Sequence, residues 1–193
     1  MERAGPIGKR GLWRICVTGT PGTGKTEVGR RLAKEMGWRF VEVNELAKSA
    51  VVGRDPGRKS LIVDVKKLAP AVRKLRNVVL AGHFAHELPC DCIVVLRCEP
   101  AVLRKRLLAR GWAERKVREN VEAELFGVIE EEARERAGRS PAPARSAPPA
   151  DAGRAFDGAR ASAAGLPRAI VIEVDSTRTP RIADVVRRIR KAR

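Results

Sequence analysis

One eight-residue motif constrains this 193-residue chain more than any other feature. Gly19-Thr20-Pro21-Gly22-Thr23-Gly24-Lys25-Thr26 matches the pattern G-x-x-x-x-G-K-[ST] at every fixed position, between a β-rich run over 13–18 and a helical pattern over 25–36. In such a motif the glycines let successive backbone N–H groups turn inward, where together with the helix N-terminus they cradle phosphates. We therefore expect Lys25 to reach the β- and γ-phosphates of a nucleoside triphosphate and Thr26 to offer its hydroxyl to Mg²⁺.

The rest of the hydrophobic pattern predicts strands that alternate with helices. Short β-rich or apolar runs predict further strands over 38–43, 77–81, 92–97 and 169–174. Helical patterns lie over 44–48 and 64–75, after Pro100, and over 114–137 and 180–192. The Gly- and Pro-bearing stretch 52–60 is expected to be irregular. This alternation is typical of a parallel sheet with helices packed against it.

The composition changes abruptly after the long helix. Residues 138–167 consist almost entirely of Ala, Pro, Arg, Ser and Gly, and Phe156 and Leu166 are the larger apolar residues among them. Such a segment cannot bury enough surface to offset the entropy lost on ordering. We therefore expect one domain over 1–193 that carries a flexible insertion at 138–167.

The formal net charge is +17, which should draw polyanions such as nucleotides or RNA to some face of the molecule. The excess is concentrated in three segments: 48–76 with net +7, 97–118 with net +6 and 181–193 with net +5. The last of these is a predicted helix whose apolar positions belong to the core. Its basic face, with Arg187, Arg188 and Lys191, is the best candidate for contact with RNA.

Cysteine usage and hydropathy limit the other possibilities. The four cysteines lie in or beside apolar runs, and Cys90-Asp91-Cys92 has no second pair to complete a zinc site, so reduced and mostly buried thiols are expected. No apolar run approaches the roughly 20 residues that cross a bilayer, and Met1–Pro6 lacks the apolar stretch of a secretory signal. These features predict a soluble cytoplasmic protein without a membrane partner.

Several blocks beyond the phosphate loop resemble the archaeal adenylate kinases related to adenylate kinase isoenzyme 6, a family that also acts in small ribosomal subunit maturation. The blocks are Val43-Asn44-Glu45-Leu46-Ala47, Ile62-Val63-Asp64, Gly82-His83, and Arg110-Gly111-Trp112 followed by Lys116, Asn120, Glu124 and Phe126. The resemblance covers about 15–137 and returns weakly from 170. It implies a P-loop NTPase fold like that of nucleoside monophosphate kinases, with a five-stranded parallel sheet, helices on both faces, and a lid.

The resemblance also implies roles for particular residues. Segment 42–67 would bind the nucleoside monophosphate, and 109–119 would form the lid over ATP. Lys25 and Arg110 would act on the transferred phosphoryl group from opposite sides, Arg110 reaching it from the lid. The residues lining the ATP phosphates would be Gly22, Gly24, Lys25, Thr26, Glu27 and Arg110, with Thr26 on the metal. The loop at Ser176-Thr177 would contact the adenine base.

The activity that the resemblance implies is ATP + AMP giving two ADP, with Mg²⁺ as the ion on ATP, some breadth toward other monophosphates, and intrinsic ATPase activity. The partners it implies are ATP, AMP, a small-subunit ribosomal protein and nearby rRNA. His83 follows a strand end, where open α/β sheets bind ligands, so it is a candidate catalytic residue or else a core histidine. For His86 a structural role is favoured.

Two positions depart from the family pattern. The family usually has an acidic residue two positions before the histidine, and here that residue is Ala81, so Mg²⁺ would depend on Thr26, phosphate oxygens, water and a carboxylate from elsewhere. Lys48 stands where relatives commonly have an arginine facing the monophosphate, and lysine lacks the bidentate fork. Two alternatives therefore stay open: an ATP-driven ribosome assembly factor with little kinase activity, or a phosphate-loop kinase for another small metabolite such as shikimate.

Overall fold

The computed structural model describes residues 13–55, 60–138 and 169–192. The predicted insertion at 138–167 lies outside them, except for Gly138. In chain order the elements are β1 (Arg14–Gly19), α1 (Lys25–Met36), β2 (Arg39–Glu42), α2 (Val43–Ala47), β3 (Val51–Asp55), β4 (Ser60–Val63), α3 (Val65–Lys74), β5 (Val78–Ala81), β6 (Cys92–Arg97), α4 (Pro100–Ala109), α5 (Glu114–Phe126), α6 (Val128–Arg136), β7 (Ile170–Asp175) and α7 (Ile182–Lys191). None of the helices in these ranges is long and apolar enough to span a membrane.

Five strands form the central sheet, in the order β2-β5-β1-β6-β7, and every neighbouring pair is parallel. β1 lies in the middle, and its residues from Ile15 to Gly19 are all buried. Strands covered on both faces need apolar residues at nearly every position, which is why these strands stand out in the sequence as continuous apolar runs. The predicted five-stranded parallel sheet is confirmed.

Helices cover both faces of the sheet, as predicted. Side chains of β1 alternate between two cores, with Ile15 and Val17 facing α1 and α7, and Cys16 facing α2, α3 and α6. In α7 the apolar side chains Ile182, Val185, Val186 and Ile189 are buried, which leaves the basic positions between them toward solvent. The alternation of strand side chains thus builds a three-layer α/β domain.

The stretch after α2 is more ordered than the sequence predicted. β3 and β4 pair as an antiparallel hairpin, with Val51 opposite Val63 and Arg54 opposite Leu61, so the prediction of an irregular segment over 52–60 is wrong for its described residues. The β-branched and aliphatic residues at 51–52 and 61–63 favour extended backbone, which outweighs the weak strand preference of Gly53. Asp64 then caps α3, accepting a hydrogen bond from the Lys66 amide at 3.0 Å.

The single long helix predicted over 114–137 is also wrong, because the chain breaks it into α5 and α6 at Gly127. That residue has φ 69° and donates its N–H to the carbonyl of Glu124 at 3.1 Å. A left-handed glycine directly after a helix is a common way to end it. The four cysteines are buried and form no disulfide, as predicted, and burial raises the pKa of the Cys16 and Cys92 thiols, which keeps them protonated.

Candidate active site

The phosphate-loop motif lies at the carboxyl end of β1, between the ends of β5 and β6. This is the position in an open α/β sheet where the strand order reverses and ligands bind. Gly22 and Gly24 have φ values of 95° and 90°, and a Cβ atom on Gly22 would lie 2.8 Å from Leu103 Cδ1. Both glycines are therefore needed for the turn. Gly24 precedes α1 without a side-chain cap, so the first amides of α1 face the loop.

Lys25 forms hydrogen bonds with the backbone of the loop. Its ammonium donates hydrogen bonds to the carbonyl oxygens of Gly19 at 2.9 Å and Thr20 at 3.0 Å. Burial and, second, the positive charge of Arg110 lower the pKa of Lys25 to about 8, while the negative charge of Glu124 opposes this shift. A bound phosphate carries negative charge, whereas the two carbonyl groups are neutral. We therefore expect the ammonium to leave the carbonyl oxygens and bind phosphate oxygens when a nucleotide is present.

A buried carboxylate supports the loop from the opposite side. Glu124 of α5 is 2% exposed and accepts hydrogen bonds from the Thr20 hydroxyl at 2.5 Å, the Arg97 Nε at 2.9 Å and the Cys98 amide at 2.8 Å. Within the loop, the Thr23 hydroxyl donates to the carbonyl of Thr20 at 2.8 Å. Glu124 therefore has its charge paired and its oxygens engaged, and it fixes the loop in place.

Thr26 contacts a second carboxylate. Its hydroxyl donates to Glu42 Oε1 at 2.7 Å, and Glu42 is the last residue of β2. Hydroxyl and carboxylate oxygens are the ligand types that Mg²⁺ prefers, so the residues present fit the predicted ion. In the described part of the chain no group of three or more His, Cys, Asp or Glu side chains could hold a metal by itself. A metal here would thus depend on phosphate oxygens as well.

The two histidines follow β5 and contact the end of β1, where the Thr18 hydroxyl donates to the His83 carbonyl at 2.9 Å. Burial, then the neighbouring Lys25 and His86 side chains, lower the pKa of His83 to about 4, and a hydrogen bond with the Gly19 backbone opposes this shift, so this imidazole is neutral at pH 7. His86 is 3% exposed, with Nδ1 2.9 Å from the Thr18 hydroxyl and Nε2 3.3 Å from a carboxylate oxygen of Glu132. His83 is thus beside the loop, and His86 links β1 to α6.

Arg110 ends α4, where Gly111 with φ 73° turns the chain toward α5. Arg110 is exposed, yet its charge acts on Lys25. Trp112 is half-buried and packs on the small core formed by Leu103, Leu107 and Val117. The structure therefore brings Gly22, Gly24, Lys25, Thr26 and His83 together at the loop and places Arg110 at its rim, whereas Glu27 is exposed on the first turn of α1.

The loop between β7 and α7 is held by an arginine that the sequence analysis did not single out. Arg106 of α4 donates to the carbonyl oxygens of Ser176 at 3.0 Å and Thr177 at 2.9 Å. The Ser176 amide and hydroxyl both donate to the carbonyl of Arg97 at 2.7 Å. Contacts over such sequence separations leave no local pattern, so only the fold could reveal them.

A phosphate loop at the end of the central parallel strand, with helices on both faces of the sheet, defines the P-loop NTPase fold class. The AAA domain family matches residues 15–127, more than half of the chain. A Thermococcus onnurineus protein named "Putative adenylate kinase" is 45% identical over 124 residues, which are 63% of this chain and 68% of that protein. A Natronomonas pharaonis protein of the same name is 33% identical over 174 residues, 89% of this chain and 96% of that protein. The chain belongs to this family of archaeal P-loop kinases.

Some of these similarities are partial or concern the fold alone. The alignment with a Pyrococcus furiosus "Putative adenylate kinase" has 44% identity over 118 residues and spans 65% of that relative. Among solved structures, shikimate kinase from Acinetobacter baumannii in complex with shikimate matches with a TM-score of 0.53 and 15% identity, covering 93% of this chain and 92% of that one. At this identity the match establishes the shared fold.

Proposed function

We propose that this chain is an adenylate kinase that transfers the γ-phosphoryl group of ATP to AMP, giving two ADP. The observation that carries the proposal is that the first residue of segment 42–67 contacts the phosphate-loop motif, because Glu42 accepts a hydrogen bond from the Thr26 hydroxyl at 2.7 Å. A donor site and a basic acceptor segment are then adjacent, which suits direct transfer between two nucleotides. The relatives' name supports AMP as the acceptor.

On the donor side, catalysis consists of positioning and charge. The amides of the loop and of α1 bind the phosphates, Lys25 contacts the transferred group from the loop, and Arg110 contacts it from the lid at 109–119. Mg²⁺, when bound with ATP, neutralises part of the phosphate charge, and Thr26 would hold it with Glu42 nearby. The neutral imidazole of His83 orients groups through hydrogen bonds and contributes no charge of its own.

On the acceptor side, the net charge of +7 over 48–76, which overlaps segment 42–67, attracts the monophosphate. Lys48 is exposed and paired with Glu45 at 2.5 Å, so a phosphate can displace this surface partner at little cost. The ammonium of Lys48 is a point charge, so it can bind a phosphate group in more than one orientation. This property is compatible with the use of monophosphates that carry different bases. Closure of the lid excludes water, and incomplete closure without AMP gives the slow ATP hydrolysis that we also propose.

The test follows ADP formation by the purified chain with Mg-ATP, with and without AMP. We expect AMP to raise the rate of ADP formation at least tenfold, and Lys25→Met to abolish that increase. If AMP leaves the rate at the value for ATP alone, the kinase proposal fails. A parallel reaction with shikimate as acceptor checks the small-metabolite alternative, for which we expect no product.

A second function is favoured by the terminal helix. The basic side chains Arg187, Arg188, Arg190 and Lys191 of α7 are exposed on the side opposite its buried apolar face. Such a surface suits RNA, which supports a role in small ribosomal subunit maturation with a ribosomal protein and rRNA as cytoplasmic partners. Reversing the charge at Arg187, Arg188 and Lys191 should weaken co-sedimentation with precursor small subunits and leave ADP formation unchanged. Equal loss of both activities would contradict this division.

A further inference from the structure

The contact between Thr26 and Glu42 fixes the direction of the Thr26 hydroxyl. The Oγ–H group donates to Glu42 Oε1 at 2.7 Å. A hydroxyl has one hydrogen and two lone pairs, so a carboxylate that holds the hydrogen leaves the lone pairs free for a cation. Thr26 follows Lys25 at the start of α1, so these lone pairs belong to the phosphate site. Carboxylates that hold a ligand in this way commonly set the affinity of the metal.

Glu42 lies beside Ala81, the position at which the resemblance to the adenylate kinases implies an acidic residue. In the parallel pairing of β2 with β5, Glu42 is the register partner of Ala81. Neighbouring strands are about 4.8 Å apart, and register partners project from the same face of a sheet. Ala81 belongs to the core beneath α1, so the Glu42 side chain extends on that same face. A carboxylate is therefore present one strand away from the position that lacks it.

The packing of α1 explains why the carboxylate comes from β2. A Cβ atom on Gly29 of α1 would lie 3.0 Å from the Ala81 Cβ and 2.9 Å from Phe40 Cε2, so the helix lies close against the end of β5. At this separation position 81 holds a methyl group within the core and has no room for a hydrated charge. Glu42 is only half-buried at the edge strand of the sheet, and its longer side chain reaches Thr26.

The other carboxylates near the loop are not equivalent to Glu42. Glu124 is buried and already accepts hydrogen bonds from Thr20, Arg97 and Cys98. Glu27 is exposed on the first turn of α1. Glu42 thus combines a direct contact with Thr26 and access to the nucleotide.

We propose that Glu42 is the positioning residue for the divalent cation of metal–ATP, supplying from β2 a carboxylate on the face of the sheet where its register partner Ala81 has none. It orients the Thr26 hydroxyl and adds a negative charge next to the cation. This inference rests on the proposed function, because it requires ATP to bind in the phosphate loop. ATP binding then has two contributions. The loop binds the phosphates, and Glu42 determines how much the metal strengthens that binding.

The test measures ATP affinity by calorimetry twice for each chain, once in EDTA and once with saturating Mn²⁺ as the probe cation. The ratio of the two dissociation constants reports the coupling between metal and ATP. We expect Glu42→Ala to reduce this ratio by about 10- to 100-fold, the range found for groups that hold a metal ligand in place. Glu42→Gln keeps an oxygen that accepts the Thr26 hydrogen bond but loses the charge, so an intermediate loss is expected.

A merely structural role would lower ATP affinity equally with and without metal, whereas the proposed role leaves the affinity in EDTA within about twofold of the wild type. Glu35→Gln is the matched control, because it removes an exposed carboxylate from α1 and should leave both affinities unchanged. A metal coupling in folded Glu42→Ala equal to that of the wild type overturns the inference and leaves the proposed function intact. Failure of the wild-type chain to bind ATP under either condition overturns both.

Discussion

We propose that the phosphate loop and segment 42–67 take part in the same reaction, but the two regions differ in burial and in the number of hydrogen bonds that hold them. The loop is buried and bonded from several sides: Thr20 and Thr23 are each 1% exposed, and Lys25 and Glu124 hold the loop from opposite directions. In segment 42–67, Val51 and Val52 are 38% and 51% exposed, and the hairpin of β3 and β4 pairs with no other strand of the described chain.

This difference suggests that the two proposed nucleotide sites contribute differently to the reaction. A loop fixed before ATP arrives stabilises charge without reorganisation during the reaction. A weakly packed segment can move when the acceptor binds, since elements with few buried contacts open at low free-energy cost. We therefore expect changes near the loop to have large effects on stability and rate, and changes in segment 42–67 to have small effects confined to AMP.

The largest effect is expected from Glu124→Ala. The change leaves the Thr20 hydroxyl, Arg97 and the Cys98 amide without their common acceptor in a buried site, which should cost about 3–5 kcal/mol of unfolding free energy. Urea unfolding measures the loss. Glu122→Ala, on the exposed side of the same helix, is the control and should change stability by less than about 0.5 kcal/mol. A similar loss in both variants would show that the loop is not supported through Glu124.

The next largest effect is expected from Lys25→Met. Removing a group that stabilises charge in the transition state commonly lowers rates by about 10²–10³-fold, so ADP formation with AMP should fall by at least 100-fold while the chain stays folded. Lys34→Met removes an exposed lysine from the last turn of the same helix and should retain the wild-type rate. A Lys25→Met chain that keeps more than a tenth of the wild-type rate would contradict the role given to this residue.

A smaller effect is expected from pH. The pKa of Lys25 is about 8 without ligand, and bound phosphate raises it, so ATP binds the protonated form more tightly. Affinity should be nearly constant below pH 8 and fall as pH rises above it, by about tenfold at pH 9. Calorimetry in two buffers of different ionisation enthalpy should also detect proton uptake on binding above pH 8. In Lys25→Arg, which stays charged, the fall attributed to this group should be absent.

The smallest effect is expected in segment 42–67. Lys48→Arg supplies a bidentate fork at the proposed monophosphate site, so the KM for AMP should decrease by about threefold with little change in kcat or in the KM for ATP. Steady-state kinetics with each nucleotide varied in turn separates these terms. The control is Lys34→Arg, for which all three parameters should stay at wild-type values. An equal change in the KM for ATP would indicate that the two sites are not divided as described.

The features that could be predicted from the sequence are those that depend on local patterns, and the features that could not are those that depend on distant residues. The loop motif, α1 and the buried strands follow from local patterns, because each depends on residues that are close along the chain or on continuous apolar runs. The pairing of β3 with β4 does not follow from local patterns, because the stability of a strand depends on its partner strand. The contacts of Glu42 with Thr26 and of Glu124 with Thr20 join residues 16 and 104 positions apart, and no local pattern reveals such pairs.

The most direct test of the proposed function follows the phosphoryl group itself. ATP labelled with ³²P at the γ-position is mixed with excess enzyme, Mg²⁺ and AMP for a single turnover, and the products are separated. Direct transfer between adjacent nucleotide sites predicts that most of the label appears at the β-position of ADP derived from AMP. Label found mainly in inorganic phosphate, at the same rate with and without AMP, would contradict the account and define the chain as an ATPase.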